Sequence, residues 1–140
     1  MRPSDPGMDP AGGAAPEREG AYELLQRGTA LLAKRHAAQA AVVLARAAAI
    51  EPGSGSILEP LGRALFMSGQ LERAAETFEA LLQIDPSNHY AHYALGRTLI
   101  RVGRRAEART HLRLAVALAP ESRLYRGGLE RLGPGGGRGA

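Results

Sequence analysis

The stretch LLQIDPSN, residues Leu81–Asn88, joins an apolar run to an acidic residue and a proline. Similar endings occur in AAAIEPGS at residues 47–54 and in AVALAPES at residues 115–122. Each of the three prolines lies 34 residues from the next: Pro52, Pro86 and Pro120. Equal spacing of one stop signal predicts a tandem array of 34-residue units.

Alignment on the prolines divides the chain without gaps into segments 21–54, 55–88 and 89–122. Each segment carries a glycine at its eighth position and an alanine at its twentieth: Gly28 with Ala40, Gly62 with Ala74, and Gly96 with Ala108. A glycine inside a helix costs roughly 1 kcal/mol relative to alanine, so its repetition indicates close approach of another element. We expect each glycine to face its alanine across an antiparallel helical hairpin.

Glycines also predict where the first helix of a hairpin ends. Gly69 and Gly103 follow apolar helical patterns and can adopt the left-handed conformation that ends a helix. The first segment has Lys34-Arg35-His36 at this place, so its turn is less clearly predicted. Each second helix should end before its proline, because the residue preceding a proline is disfavoured in the α region.

Together, these positions resemble the tetratricopeptide repeat family, in which 34-residue helical hairpins stack into a right-handed superhelix. The resemblance covers residues 21–122 and implies an all-α solenoid of three hairpins. Three residues depart from the pattern: Arg27 replaces an apolar residue, Leu81 a small one, and His92 a bulky apolar one.

The segments outside the repeats receive separate predictions. Residues 123–133 contain three leucines on a short helical pattern, and we expect them to form a helix that covers the exposed end of the array. Residues 1–20 and 134–140 are rich in Pro and Gly and have little apolar content, so we expect both to be flexible.

Composition limits the function further. The chain has no cysteine, which excludes disulfides and thiolate sites. The beginning resembles no signal peptide and no window is apolar enough for a membrane span, so a cytoplasmic protein is predicted. The net charge of +4 is concentrated in residues 89–140, which carry ten Arg against three Glu.

No pattern in the sequence indicates catalysis. His89 and His92 are spaced to approach one metal ion from a helix, but no suitable third and fourth ligands accompany them. The final PGGGRGA lacks the residues of a phosphate-binding loop. We therefore expect no catalytic residues, no metal and no cofactor, and a protein that is not an enzyme.

Recognition is instead predicted on the face of each first helix that does not pack against its hairpin partner. The family resemblance places this face in a concave groove that binds an extended or helical peptide. Aromatic and arginine side chains in this set are favoured at protein interfaces and suit a partner with acidic groups. The predicted groove residues are Tyr22, Leu25, Thr29, Leu32, Ser56, Glu59, Arg63, Phe66, Tyr90, Tyr93, Arg97, Ile100 and Arg101.

Three functional hypotheses remain open from the sequence. The first is a non-enzymatic module that binds a peptide or partner subunit, although the positions of the family's carboxylate clamp lack Lys, Asn and Arg. The second is an assembly or secretion chaperone. The third is nucleic-acid association, with salt-sensitive phosphate contacts through Arg104, Arg105, Arg109 and Arg113.

Overall fold

A computed structural model describes residues 19–135. Within that range the chain forms seven α-helices and no strand. The helices are α1 (Ala21–Ala33), α2 (Ala37–Ile50), α3 (Gly55–Met67), α4 (Leu71–Ile84), α5 (His89–Val102), α6 (Arg105–Leu118) and α7 (Arg123–Leu132).

The helices pair in chain order as α1 with α2, α3 with α4, and α5 with α6. Each hairpin packs on the next, and the first helices also form a continuous row, because α1 contacts α3, α3 contacts α5, and α5 contacts α7. The predicted all-α superhelix of three hairpins with a C-terminal capping helix is confirmed.

The repeated prolines follow the ends of the second helices. These helices end at Ile50, Ile84 and Leu118, each two residues before its proline. After two of these breaks, a polar side chain caps the next first helix: Asn88 Oδ1 accepts from the Ala91 amide at 3.0 Å, and Ser122 Oγ from the Tyr125 amide at 3.2 Å. The stop signal and the cap together set the period of the array.

The repeated glycines allow close packing, but their predicted partner was wrong. A Cβ atom on Gly28 would lie 2.4 Å from the side chain of Leu44, and one on Gly62 would lie 2.6 Å from Phe78. A Cβ on Gly96 would lie 2.8 Å from Leu112. The glycines thus make room for a large side chain four residues beyond each alanine, while the alanines themselves are fully buried: Ala40, Ala74 and Ala108.

The turns within the hairpins share one backbone conformation. Gly69 and Gly103 have φ values of 83° and 96°, as the sequence indicated. Arg35, at the equivalent place in the first hairpin, has φ of 65° and is the one non-glycine residue with positive φ in the described chain. The superhelix therefore imposes this turn even where the sequence does not favour it.

The three departures from the repeat pattern are each accommodated locally. Arg27 is exposed and its Nη2 lies 2.7 Å from the Glu19 carboxylate, because no hairpin precedes α1 to cover it. Leu81 is buried where Gly55 leaves room: a Cβ there would lie 3.3 Å from the leucine. His92 is buried and hydrogen-bonded.

Helix α7 continues through Gly127 and Gly128 and buries Tyr125 and Leu132 against the array. Its C-terminal end is held by α6. Arg105 Nη2 donates to the Leu132 carbonyl at 2.8 Å, and Arg109 Nη2 donates to the Pro134 carbonyl at the same distance. These side chains satisfy carbonyls that a helix end leaves free.

The predicted flexible segments fall mostly outside the description, which omits residues 1–18 and 136–140. The described edges of both segments are held by contacts. Glu19 pairs with Arg27, and the carbonyl of Pro134 accepts from Arg109. Among residues 19–135, none of the helices has the length and apolar content needed to cross a membrane.

Candidate peptide-binding groove

The predicted groove residues lie on the row formed by α1, α3, α5 and α7, but they differ widely in exposure. Two of them, Leu32 and Tyr93, are buried, with 7% and 4% exposure. Four more are partly buried: Leu25, Glu59, Phe66 and Tyr90. The exposed members are Tyr22, Thr29, Arg63, Arg97 and Arg101. Tyr22 is 67% exposed, at the end of the row farthest from α7.

The placement of Tyr93 and Leu32 on a free surface is corrected by the structure. The ring of Tyr93 stacks on Tyr125 of α7 with centroids 5.0 Å apart, and Gly128 leaves room for it. Leu32 belongs to the main core cluster. Both residues therefore stabilise the fold, and only their neighbours are available to a partner.

Tyr125 joins this buried contact to a hydrogen bond. Its hydroxyl lies 2.8 Å from Nδ1 of His89, and burial raises the pKa of the phenol. The hydroxyl therefore stays protonated at neutral pH. This contact fixes the capping helix to the start of α5, at the C-terminal end of the groove.

Phe66 lies at the centre of the exposed part of the groove, between two arginines from the next hairpin. The guanidinium carbon of Arg97 lies 4.9 Å from the Phe66 ring centroid, and that of Arg101 lies 5.3 Å from it. Arg97 also lies 5.7 Å from the ring of Tyr93. Cation–π contacts of this kind restrict the guanidinium groups and leave their N–H donors available.

These arginines have no acidic partner in the fold. The ion pairs between residues 19 and 135 involve Arg27, Arg46 and Arg104. Arg63, Arg97 and Arg101 are exposed and have no carboxylate within salt-bridge distance among the described residues. The groove thus presents positive charge that the protein itself does not neutralise.

Two cavities flank Phe66. One, of about 190 Å³, is lined by Arg63, Phe66, Met67, Phe78, Tyr90, Ala94 and Arg97. The other, of about 270 Å³, continues toward α7 and is lined by Phe66, Arg97, Ile100, Arg101, Arg105, Leu112, Gly128, Arg131 and Leu132. Because both contain Phe66 and Arg97, they form one discontinuous channel along α3, α5 and α7.

Tyr90 supplies a polar group to the first cavity. Burial raises the pKa of its hydroxyl, against the opposing effect of the Arg63 charge, and the carboxylate of Glu59 adds to the increase. The phenol is therefore protonated at neutral pH and can both donate and accept a hydrogen bond.

Arg131 was missed by the sequence prediction, although its spacing could have revealed it. It lies 34 residues after Arg97, which itself lies 34 residues after Arg63. The three therefore occupy one position of consecutive first helices, and Arg131 lines the second cavity. A side chain on Gly127 would crowd Arg131, since a Cβ there would lie 3.1 Å from its Nη1.

The histidines form separate contacts. Nε2 of His92 donates to the Pro86 carbonyl at 2.8 Å, and Nδ1 lies 3.0 Å from Nδ1 of His111. His89 instead contacts Tyr125. The described residues contain no group of three or more His, Cys, Asp or Glu that could hold a metal ion.

The arginines proposed for nucleic-acid contact are largely engaged within the chain. Arg104 pairs with Glu107, which lowers the pKa of that carboxyl, while Arg105 and Arg109 bind carbonyls at the end of α7. Arg109 is buried. Arg113 is exposed on α6, away from the row of first helices.

Comparison with known proteins agrees with this architecture. Two family models described as tetratricopeptide repeat match residues 25–89 and 65–132. The chain belongs to the tetratricopeptide repeat family. Its three tandem 34-residue units are therefore members of a known class of interaction repeat, and the fold neighbours below include proteins that bind peptides.

One curated relative is the TPR repeat-containing thioredoxin TTL4 of Arabidopsis thaliana, which is 30% identical over 99 residues. The alignment covers 71% of this chain but only 14% of that relative. The chain therefore spans about a seventh of the relative's length, within the repeat region that both share.

Among solved structures, YrrB is a TPR protein with an unusual peptide-binding site. It has a TM-score of 0.77 and 24% identity, over 80% of this chain and 58% of its own. The Yersinia enterocolitica type III secretion chaperone SycD, in complex with a peptide of the translocator YopD, has a TM-score of 0.72 and 17% identity. That match covers 79% of this chain and 90% of SycD. At these identities the likeness concerns the fold alone.

Proposed function

We propose that this protein is a non-enzymatic interaction module that binds a peptide segment of a partner protein in the groove formed by α3, α5 and α7. The observation that carries the proposal is the exposed set of Phe66, Arg97 and Arg101, whose cations have no carboxylate partner in the described chain. Cavities on both sides of Phe66 provide space for side chains of a bound peptide.

A chaperone role is a specific form of the same proposal. SycD has this fold and was solved with a translocator peptide, which supports a groove that holds a segment of another protein. A chaperone would keep its partner soluble when the two are produced together. A cytoplasmic location remains a prediction from the sequence.

Nucleic-acid association is less well supported. Of the four arginines considered for it, Arg104, Arg105 and Arg109 make contacts within the chain. Such binding would fall steeply with added salt and would be lost on nuclease treatment.

Affinity capture with paired variants tests the proposal. The full chain, Phe66→Ala and Val42→Ala are immobilised and exposed to extract from the native cell at low and moderate salt, with and without nuclease. Val42 is a matched control, because it is an apolar residue 65% exposed on α2, outside the first-helix row. We expect a protein partner that the full chain and Val42→Ala retain and Phe66→Ala loses. Equal retention by all three would refute the groove assignment.

A further inference from the structure

The three arginines at one repeat position form a row whose spacing is set by the helices. Arg63, Arg97 and Arg131 lie on α3, α5 and α7, which contact one another in that order. Packed helices lie about 8–10 Å apart, so successive guanidinium groups begin from backbones separated by about that distance. An extended peptide advances about 3.3 Å per residue, so about three residues correspond to one step of the row.

The row is continuous with the channel on both sides of Phe66. Arg63 and Arg97 line the first cavity, and Arg97 and Arg131 line the second. All three side chains are exposed, and none has a carboxylate within salt-bridge distance among residues 19–135. Glu59 is the single acidic residue among the predicted groove positions, and it lies on α3, away from α7.

Residues beside the row favour a fixed arrangement of the charges. Arg97 is held over Phe66, and Gly127 leaves room for Arg131 to lie along α7. A guanidinium group held in this way can present two parallel N–H donors to one carboxylate, which lysine cannot do. The row therefore suits discrete carboxylates better than diffuse negative charge.

From this arrangement we infer that the groove selects an extended peptide whose Asp or Glu side chains recur at every third residue. The inference rests on the proposed peptide-binding function and specifies the chemistry of the ligand. The three carboxylates pair with Arg63, Arg97 and Arg131 in succession. The side chains between them face Phe66, Tyr90 and Ile100, which supply apolar contact and a phenol hydroxyl.

Designed peptides test the spacing directly. Three fluorescent nonapeptides of Ala, Ser and Glu are compared by anisotropy: one with Glu at every third residue, one with the same three Glu adjacent, and one with Gln in place of Glu. We expect the spaced peptide to bind about tenfold more tightly than the Gln peptide, and more tightly than the adjacent one, with weaker binding at high salt. Equal affinity of the spaced and Gln peptides would overturn the inference.

Arginine variants identify the site. Arg97→Ala and Arg131→Ala should each weaken the spaced peptide about tenfold, and Arg97→Lys should recover only part of the loss. Arg113→Ala is the matched control, since Arg113 is an exposed arginine outside the row. Binding unchanged by Arg131→Ala would overturn the inference. Tighter binding of a single-stranded oligonucleotide, lost in the same variants, would overturn it also.

A random peptide display library, selected on the full chain, separates this inference from the proposed function. Selected peptides with acidic residues three apart, dependent on Arg131, support both. Selected peptides without acidic residues that are lost with Phe66→Ala overturn the inference and leave the proposed function intact. A library without binders, or with binders indifferent to Phe66→Ala, contradicts both.

Discussion

At the scale of single residues, the repeated glycines determine how closely the helices of a hairpin approach. Gly62 faces the ring of Phe78, which is 1% exposed and therefore has no free space into which it can move. A methyl group at this position would improve helix propensity by roughly 1 kcal/mol but would overlap a buried ring. The overlap outweighs the gain because the interior is densely packed.

Gly62→Ala is therefore expected to lower the free energy of unfolding by about 1–3 kcal/mol, measured by urea denaturation. Gly53→Ala is the matched control, since a Cβ at Gly53 would meet nothing within 4 Å. We expect the control to unfold at the same urea concentration as the parent chain, within error. Equal stability of the two variants would show that glycine packing does not hold the hairpin together.

The paired histidines connect the core to pH. The rings of His92 and His111 stack with centroids 5.2 Å apart, and the Pro86 carbonyl accepts the Nε2 proton of His92. When both rings are neutral, Nδ1 of His111 therefore donates to Nδ1 of His92. Burial, together with the nearby charge of His92, lowers the pKa of His111 below its ordinary value.

Stability should consequently fall as the solution is acidified below the ordinary histidine pKa, about 6.5. In that range the unfolded chain binds a proton at His111 more readily than the folded chain does, and the difference disappears below the folded pKa. His111→Gln should reduce this pH dependence in thermal unfolding measured between pH 7 and pH 5. His36→Gln, a change at an exposed histidine, should leave it unaltered. An unchanged pH dependence in His111→Gln would contradict the assignment.

At the scale of elements, the three hairpin turns show how tertiary packing overrides local preference. All three reach a left-handed residue at the same place in the repeat, but the first uses Arg35. A side chain in this conformation costs roughly 1–2 kcal/mol relative to the right-handed region, which glycine avoids. The packing of α1 on α2 offsets that cost.

Arg35→Gly should relieve the strain and stabilise the chain by about 0.5–1 kcal/mol, after the greater entropy of glycine in the unfolded state is deducted. The reciprocal change, Gly103→Arg, should destabilise by about 1–2 kcal/mol at the equivalent turn. Both are measured as changes in the urea midpoint. If the two variants shift in the same direction, turn conformation is not the cause.

At the scale of the whole molecule, α7 covers the last hairpin and closes one end of the groove. Tyr125 and Leu132 are buried by this contact, and Tyr93 and Leu112 lie beneath the Gly128 segment. A repeat array without such a cover exposes the apolar face that would have received the next unit.

A chain ending at residue 122 should therefore lose about 3 kcal/mol or more of stability and self-associate through the uncovered face of α5 and α6. Light scattering after size-exclusion chromatography measures the association, and thermal unfolding measures the loss. A chain ending at Gly135 retains every described residue and should match the full chain. A monomeric, equally stable truncation would show that α7 is dispensable.

Most of the fold could be predicted from the sequence, because repetition of Gly62 and Pro86 at one period reports local rules that hold in every unit. The partner of the glycines could not, because Phe78 reaches the glycine through side-chain length that spacing does not reveal. Burial of Tyr93 also escaped prediction, since it depends on Tyr125 and Gly128 in a segment outside the three aligned repeats. Packing between units was thus harder to predict than periodicity within them.

Each helix contacts only those one or two places away along the chain, so no long-range strut fixes the curvature of the row. The pitch of such an array is an elastic property, in which a slight rotation at each interface adds to the next. Charges spaced one per unit would then change separation together when the array bends. Occupancy of one end would alter the geometry at the other through cumulative tilt, with no hinge required.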